Sequence, residues 1–189
     1  MTDYLANSVK ESCKVKNDSF KAHRKNIRKV IDLLYETLKN GGKIVIFGNG
    51  GSAADAQHLA AEFVVRLKIN RKAYPAIALT TDSSILTACA NDFGFDMVFQ
   101  RQVEALGRKG DVAIAISTSG NSQNVVLAVE TAKKNKMKVV GFTGEGGGRM
   151  KGKCGILVDV KSNNTMRIQE THITFFHMIC DAVETKLKG

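Results

Sequence analysis

Lys43-Ile44-Val45-Ile46-Phe47-Gly48-Asn49-Gly50-Gly51-Ser52 and Asp111-Val112-Ala113-Ile114-Ala115-Ile116-Ser117-Thr118-Ser119-Gly120-Asn121-Ser122 carry one pattern twice. In each, a short run of apolar residues without polar alternation feeds a turn of Gly, Ser and Asn, and an Ala- or Val-rich helical stretch follows. Such runs read as strands buried on both faces, the habit of parallel sheets covered by helices. Further strands are predicted at 76–79, 138–142 and 156–160, and a closing helix from about 165 to 187. Residues 3–40 space Val9, Val15, Phe20, Ile27, Val30, Ile31, Leu34 and Leu38 nearer to 3.6 than to 2, predicting one or two amphipathic helices that Gly41-Gly42 stops. The expected fold is therefore α/β, a three-layer αβα sandwich on a mostly parallel five-stranded sheet, preceded by N-terminal helices.

Length and composition bound the rest. A chain of 189 residues with 43% apolar residues and a single Pro fits one domain with one core. Cys13, Cys89, Cys154 and Cys180 are scattered with no C-x-x-C pair, which argues against a disulfide framework or zinc ribbon and predicts a reducing, cytoplasmic setting. No signal core opens the chain and no stretch approaches the ~20 apolar residues of a membrane helix, so no membrane partner is expected. The net charge of +10 is concentrated in 1–43 and 131–153 and favours anionic ligands. With 6% aromatic residues and no recognised binding motif, nucleic acid is not expected as a partner.

Both Gly/Ser turns precede predicted helices, at the strand ends where open α/β sheets bind ligands. A helix start offers unpaired N–H groups and about half a positive charge, enough to hold a phosphate. Gly50 and Gly51 let oxygens approach the backbone, and Ser52, Ser117, Thr118, Ser119 and Ser122 add hydroxyls. Two rival motifs fail. Gly48-Asn49-Gly50-Gly51-Ser52-Ala53 lacks the third glycine of a dinucleotide turn, and Gly147 to Cys154 puts Cys where a P-loop needs Ser or Thr.

Beyond the first turn, His58 and Glu62 stand one helical turn apart, about 40° from each other around the helix axis. They can meet one ion or one substrate. The last helix carries Arg167-Ile168-Gln169-Glu170-Thr171-His172 and then His177. Gln169 and His177 are separated by ~12 Å of helix rise. For both to reach one site, Gln169 must sit in a loosened first turn or a second subunit must contribute. His172 has no such pairing and reads as a surface or core residue.

Taken together, these residues resemble the sugar isomerase (SIS) fold and, within it, the phosphoheptose isomerases (sedoheptulose 7-phosphate isomerases). The marks are Gly48-Asn49-Gly50-Gly51-Ser52, His58 with Glu62, Asn91-Asp92-Phe93-Gly94-Phe95, Ser117 to Ser122, and Arg167-Ile168-Gln169-Glu170 followed by His177. The resemblance runs from about residue 10 to the C-terminus. It implies a single SIS domain over 1–189, with 1–40 as a helical extension packing in a homotetramer. Substrate contacts are implied at Asn49, Gly50, Gly51, Ser52, Glu62, Arg66, Asn91, Asp92, Ser117, Thr118, Ser119, Ser122 and Gln169, with Arg66 available from a neighbouring subunit. Zinc, one per subunit, is implied at His58, Glu62, Gln169 and His177. Met166 departs from the acidic residue some members carry before the Arg-Ile-Gln-Glu run.

The implied reaction is ketose–aldose isomerisation through an enediol, supplying bacterial heptose for lipopolysaccharide or capsule. Glu62 is expected as the base at C1 and His177 as the group exchanging protons with the oxygens or C2. Zinc would polarise the carbonyl. A second reading, a sugar-phosphate-binding regulator or replication-initiator-associating protein of the same fold, needs the serine turns but not Glu62 and His177.

Overall fold

The computed structural model describes residues 2–188. Its helices are α1 (Thr2–Lys39), α2 (Gly51–Val64), α3 (Ser83–Phe93), α4 (Val98–Leu106), α5 (Gln123–Lys134) and α6 (Thr165–Lys188). The strands are β1 (Ile44–Gly48), β2 (Ala76–Ala78), β3 (Val112–Ser117), β4 (Lys138–Thr143) and β5 (Ile156–Asp159), all parallel, in the order β2-β1-β3-β4-β5. Alternation along each strand divides the core. Ile44, Ile46, Ile114 and Ile116 pack with α1, α2 and α6, whereas Val45, Phe47, Ala113 and Ala115 pack with α3, α4 and α5. The result is the three-layer αβα sandwich that the apolar runs predict.

Two differences from the sequence reading have plain causes. Residues 2–39 contain no Gly or Pro, and of the one or two helices expected they form one continuous helix. Gly41, at φ +80°, ends it, and the Gly42 N–H closes on the Thr37 carbonyl at 2.9 Å. From Ile27 onward α1 belongs to this chain's own core, so it is more than an extension; only its start leaves Tyr4, Leu5 and Val9 exposed. The second difference is α3 and α4, which the apolar pattern did not announce. Asp82 starts α3 by accepting the Ile85 N–H at 2.9 Å.

Arg167, buried at the start of α6, fastens α1 to α6. Its guanidinium donates to Glu11 at 3.0 Å, to Glu170 at 2.7 Å and to the Ser8 hydroxyl, while Ser12 donates to Glu170 at 2.6 Å. A buried guanidinium needs this many acceptors to offset its lost hydration. Four of the five residues of Arg167–Thr171 therefore serve packing, which leaves Gln169 free for other work.

His172 is fully buried, with Nε2 3.1 Å from the Thr143 carbonyl and rings of Phe142 and Phe176 against it. Burial pushes its imidazole down to about 4, so the folded chain holds it neutral. Because the unfolded value is higher, near 6.5, stability is full above that pH and falls as pH drops toward 4. Chemical denaturation between pH 7 and 4 is expected to show wild type losing on the order of 3 kcal/mol more than His172→Gln. Parallel pH profiles for the two proteins would contradict this.

Candidate functional site

Strands β1 and β3 are neighbours, with Gly48 opposite Ile116, so the turns that follow them stand side by side at the carboxyl edge. This is also the point where the strand order reverses, the usual ligand crevice of such sheets. A side chain at Gly48 would put its Cβ 2.8 Å from the Ile116 carbonyl oxygen, which explains the glycine. The Asn49 carbonyl accepts the Ser52 N–H at 2.9 Å and starts α2. In the second turn Ser117 and Ser122 share a hydrogen bond of 3.1 Å, and Ser119 accepts the Asn121 N–H at 3.1 Å. Thr118 is anchored through its carbonyl, which accepts the Gly144 N–H at 2.8 Å.

A pair of amides locks the two turns together. Asn49 and Asn124 exchange hydrogen bonds of 2.9 Å in both directions. Asn124 is buried in the first turn of α5 and was not singled out by the sequence. Its only signal there is an amide one residue beyond a predicted helix start. The Asn49 side chain is thus a tie between turns, and its backbone shapes the first one.

Helices α2 and α6 run side by side in the same direction. Gln169 lies against Gly51, His177 against His58, and Glu184 against Leu67 and Lys68. His58 Nε2 is 3.0 Å from Glu62 Oε1 and 3.3 Å from His177 Nε2, and the three ligand atoms lie within 4.8 Å of one another. Two imidazole nitrogens and a carboxylate oxygen match the donor set of a zinc site with an open position. Within one chain, then, His177 reaches the His58–Glu62 pair without help from a second copy.

Gln169 takes a different place. Its helix is regular from Thr165, without the loosened first turn that was one of the two alternatives, and its amide packs on Gly51 so closely that a Cβ there would fall 2.3 Å from Nε2. The Gln169 side chain thus lies against the turn that opens α2.

Residues outside every motif hold Glu62 in position. Arg71 donates to the Glu62 carbonyl at 2.6 Å and the Phe63 carbonyl at 2.8 Å, closing the last turn of α2. Buried Glu184 accepts Arg71 Nε at 3.0 Å and the N–H groups of Leu67, Lys68 and Ile69. Burial alone would raise the Glu184 carboxyl, but those three N–H donors and Arg71 hold it below the usual range. In sequence, Arg71 sits in a polar stretch that looks like an ordinary surface loop, so no local signal exposes it.

Three expected residues lie apart from this cluster in a single chain. Arg66 is exposed just past the end of α2, and Asn91 and Asp92 are exposed on α3, with a 2.8 Å bond between their side chains. Among the described residues none of the three is hydrogen-bonded to the turns. Met166 is exposed, at 57%.

Comparison with known proteins agrees with this layout. A family model described as SIS domain matches residues 7–144. Phosphoheptose isomerase of Desulfovibrio desulfuricans is 50% identical over 182 residues, covering 96% of this chain and 87% of the relative. That of Campylobacter concisus is 51% identical over 185 residues, covering 93% and 97%. The solved phosphoheptose isomerase GmhA from Neisseria gonorrhoeae superposes with a TM-score of 0.91 at 43% identity, covering 97% of this chain and 98% of its own.

Replacing Asn124 by Ala leaves the Asn49 amide without its partner, and is expected to lower stability by about 1–3 kcal/mol. The same variant should bind inorganic phosphate several-fold more weakly in calorimetric titration, because the turns lose their tie. Unchanged phosphate affinity would show that each turn is shaped independently.

Proposed function

This chain belongs to the phosphoheptose isomerases of the SIS domain family, and from that premise we propose that it interconverts sedoheptulose 7-phosphate and D-glycero-D-manno-heptose 7-phosphate. The product would supply heptose precursors for bacterial lipopolysaccharide or capsule. The observation that carries the reading is the convergence of His58, Glu62 and His177 along the same helix pair whose starts bear Gly51 and Gln169. A phosphorylated sugar needs one end held as an anion and the other worked on by acid and base, and the seam between α2 and α6 offers both.

In this reading Gly50, Gly51, Ser52, Ser117, Thr118, Ser119 and Ser122 hold the phosphate, with Gln169 beside them. Glu62 removes the proton from C1 of the ketose, and His177 exchanges protons with the substrate oxygens or C2, so that the enediol collapses to the aldose. Zinc fits the His58, Glu62 and His177 donors and, when bound, would polarise the carbonyl. Arg71 and Glu184 keep Glu62 at its station.

Copies of the chain are proposed to assemble as a homotetramer in the cytoplasm. Exposed Tyr4, Leu5, Val9, Phe93 and Phe95 would be covered there, and Arg66, Asn91 and Asp92 would reach sites that their own chain leaves open. Among the described residues no helix is long and apolar enough to cross a membrane.

Turnover of sedoheptulose 7-phosphate by Glu62→Gln and by His177→Ala tests the assignment. Each is expected to lose at least about 100-fold in kcat while remaining folded. Activity near wild type in either variant would remove that residue from the chemistry.

A further inference from the structure

The net charge of +10 has no part at the anion turns, since neither Gly48 to Ser52 nor Ser117 to Ser122 contains a Lys or Arg. Much of the excess lies at the opposite end of the sheet. The five strands are all parallel, so the residues that precede them share one edge. There the chain places Lys43 before β1, Arg108 and Lys109 before β3, Lys136 and Lys138 at the start of β4, and Lys153 before β5. Lys43 pairs with buried Asp111 at 2.5 Å and Lys153 with Glu130 at 2.6 Å, which engages the carboxylates beside them. Exposed Arg108, Lys109, Lys136 and Lys138, among the described residues, pair with no carboxylate.

Helix ends explain part of this charge. Helices α1 and α5 finish at the edge, and Lys39, Lys133 and Lys134 in their last turns answer the negative end of the helix dipole. That effect fades beyond the last turn, and Arg108, Lys109 and Lys138 follow the helices rather than close them. The cations border two clefts instead. One, of about 540 Å³, is lined by Gly41, Gly42, Pro75 and Leu106 together with Arg108 and Lys109. The other, of about 320 Å³, is lined by Lys133, Lys138 and Lys153 beside Gly152 and Gly155. Exposed Ile77 and Leu106 add an apolar strip next to the first. Adjacent strands stand ~4.8 Å apart, so a cleft under β1 and β3 and one under β4 and β5 are ~10 Å from each other. Roughly three or four extended residues span that distance.

We propose that this amino edge of the sheet is a docking surface for an acidic, extended segment of a partner protein, whose carboxylates meet Arg108, Lys109, Lys136 and Lys138 while an apolar side chain enters the cleft at Leu106. Composition selects this partner among polyanions. No residue lining either cleft is aromatic, so no platform exists there for stacking a nucleic acid base. Helix carboxyl ends offer no free N–H groups to a phosphate, whereas carboxylates on a flexible chain reach the tips of Lys and Arg. Lys39 lies ~45 Å along α1 from Val9, so the edge is separate from the apolar helix start that the proposed assembly would cover.

Fluorescence anisotropy of the intact protein with a labelled peptide of about eight residues, in which Glu alternates with Leu and Ser, reads the docking. Arg108→Glu with Lys109→Glu, and Lys136→Glu with Lys138→Glu, should each weaken binding at least about 10-fold. Lys21→Glu with Lys25→Glu, an equal change of charge at exposed positions of α1, should alter it less than about 2-fold. Neutral Arg108→Gln with Lys109→Gln gives the same comparison if charge reversal disturbs folding, which circular dichroism reads. Equal losses in the edge and α1 variants would mean attraction by net charge alone and overturn the proposal. Undiminished binding of the peptide with Gln in place of Glu, or no saturable binding to wild type at low salt, overturns it as well. A single-stranded oligodeoxynucleotide that binds more tightly than the peptide, and loses affinity in the same edge variants, overturns the class of partner.

Discussion

The pairing of β1 with β3, in which Gly48 stands opposite Ile116, sets two Gly- and Ser-bearing turns side by side at one edge of the sheet. Both strands are buried on both faces, so neither can slip by one residue without turning its Ile side chains from one helical layer to the other. Register of the core and register of the anion turns are thus the same constraint. The Asn49–Asn124 amide pair transmits it across the few ångströms where the strands have already ended.

From those turns the parallel helices α2 and α6 carry the site away from the sheet edge. Gln169 meets Gly51 at one level and His177 meets His58 farther along, so a single seam has an anion-holding end and an acid–base end. Charged groups fasten each helix at its extremities: Arg167 binds the start of α6 to α1, and Arg71 with Glu184 binds the end of α2 to α6. Such pairs contribute modestly to net stability once desolvation is counted, but they fix geometry, because removing either partner leaves a buried charge alone. Glu62 and His177 owe their separation to these ties more than to any contact between themselves.

The five strands, the layer order and the two turns were legible because a run such as Ile44 to Phe47 has one physical solution, burial on both faces. His58 and Glu62 were legible from helical spacing. The reach of His177 to that pair came from the family resemblance and not from spacing, since only the packing of α6 along α2 shows which neighbour it meets. Asn124, Arg71 and Glu184 were invisible for a common reason. Each acts through a partner distant in sequence or through its burial, and a single chain of letters records neither. The same holds for α1, whose apolar stripe announced a helix but not that its second half completes the core of its own chain.

A crystal structure of Glu62→Gln soaked with sedoheptulose 7-phosphate tests the central claim most directly. The account predicts phosphate on the turns at Gly50 to Ser52 and Ser117 to Ser122, with C1 and C2 extending along the α2–α6 seam to residues 62 and 177. Phosphate held elsewhere, or a sugar chain leading away from His177, would contradict it.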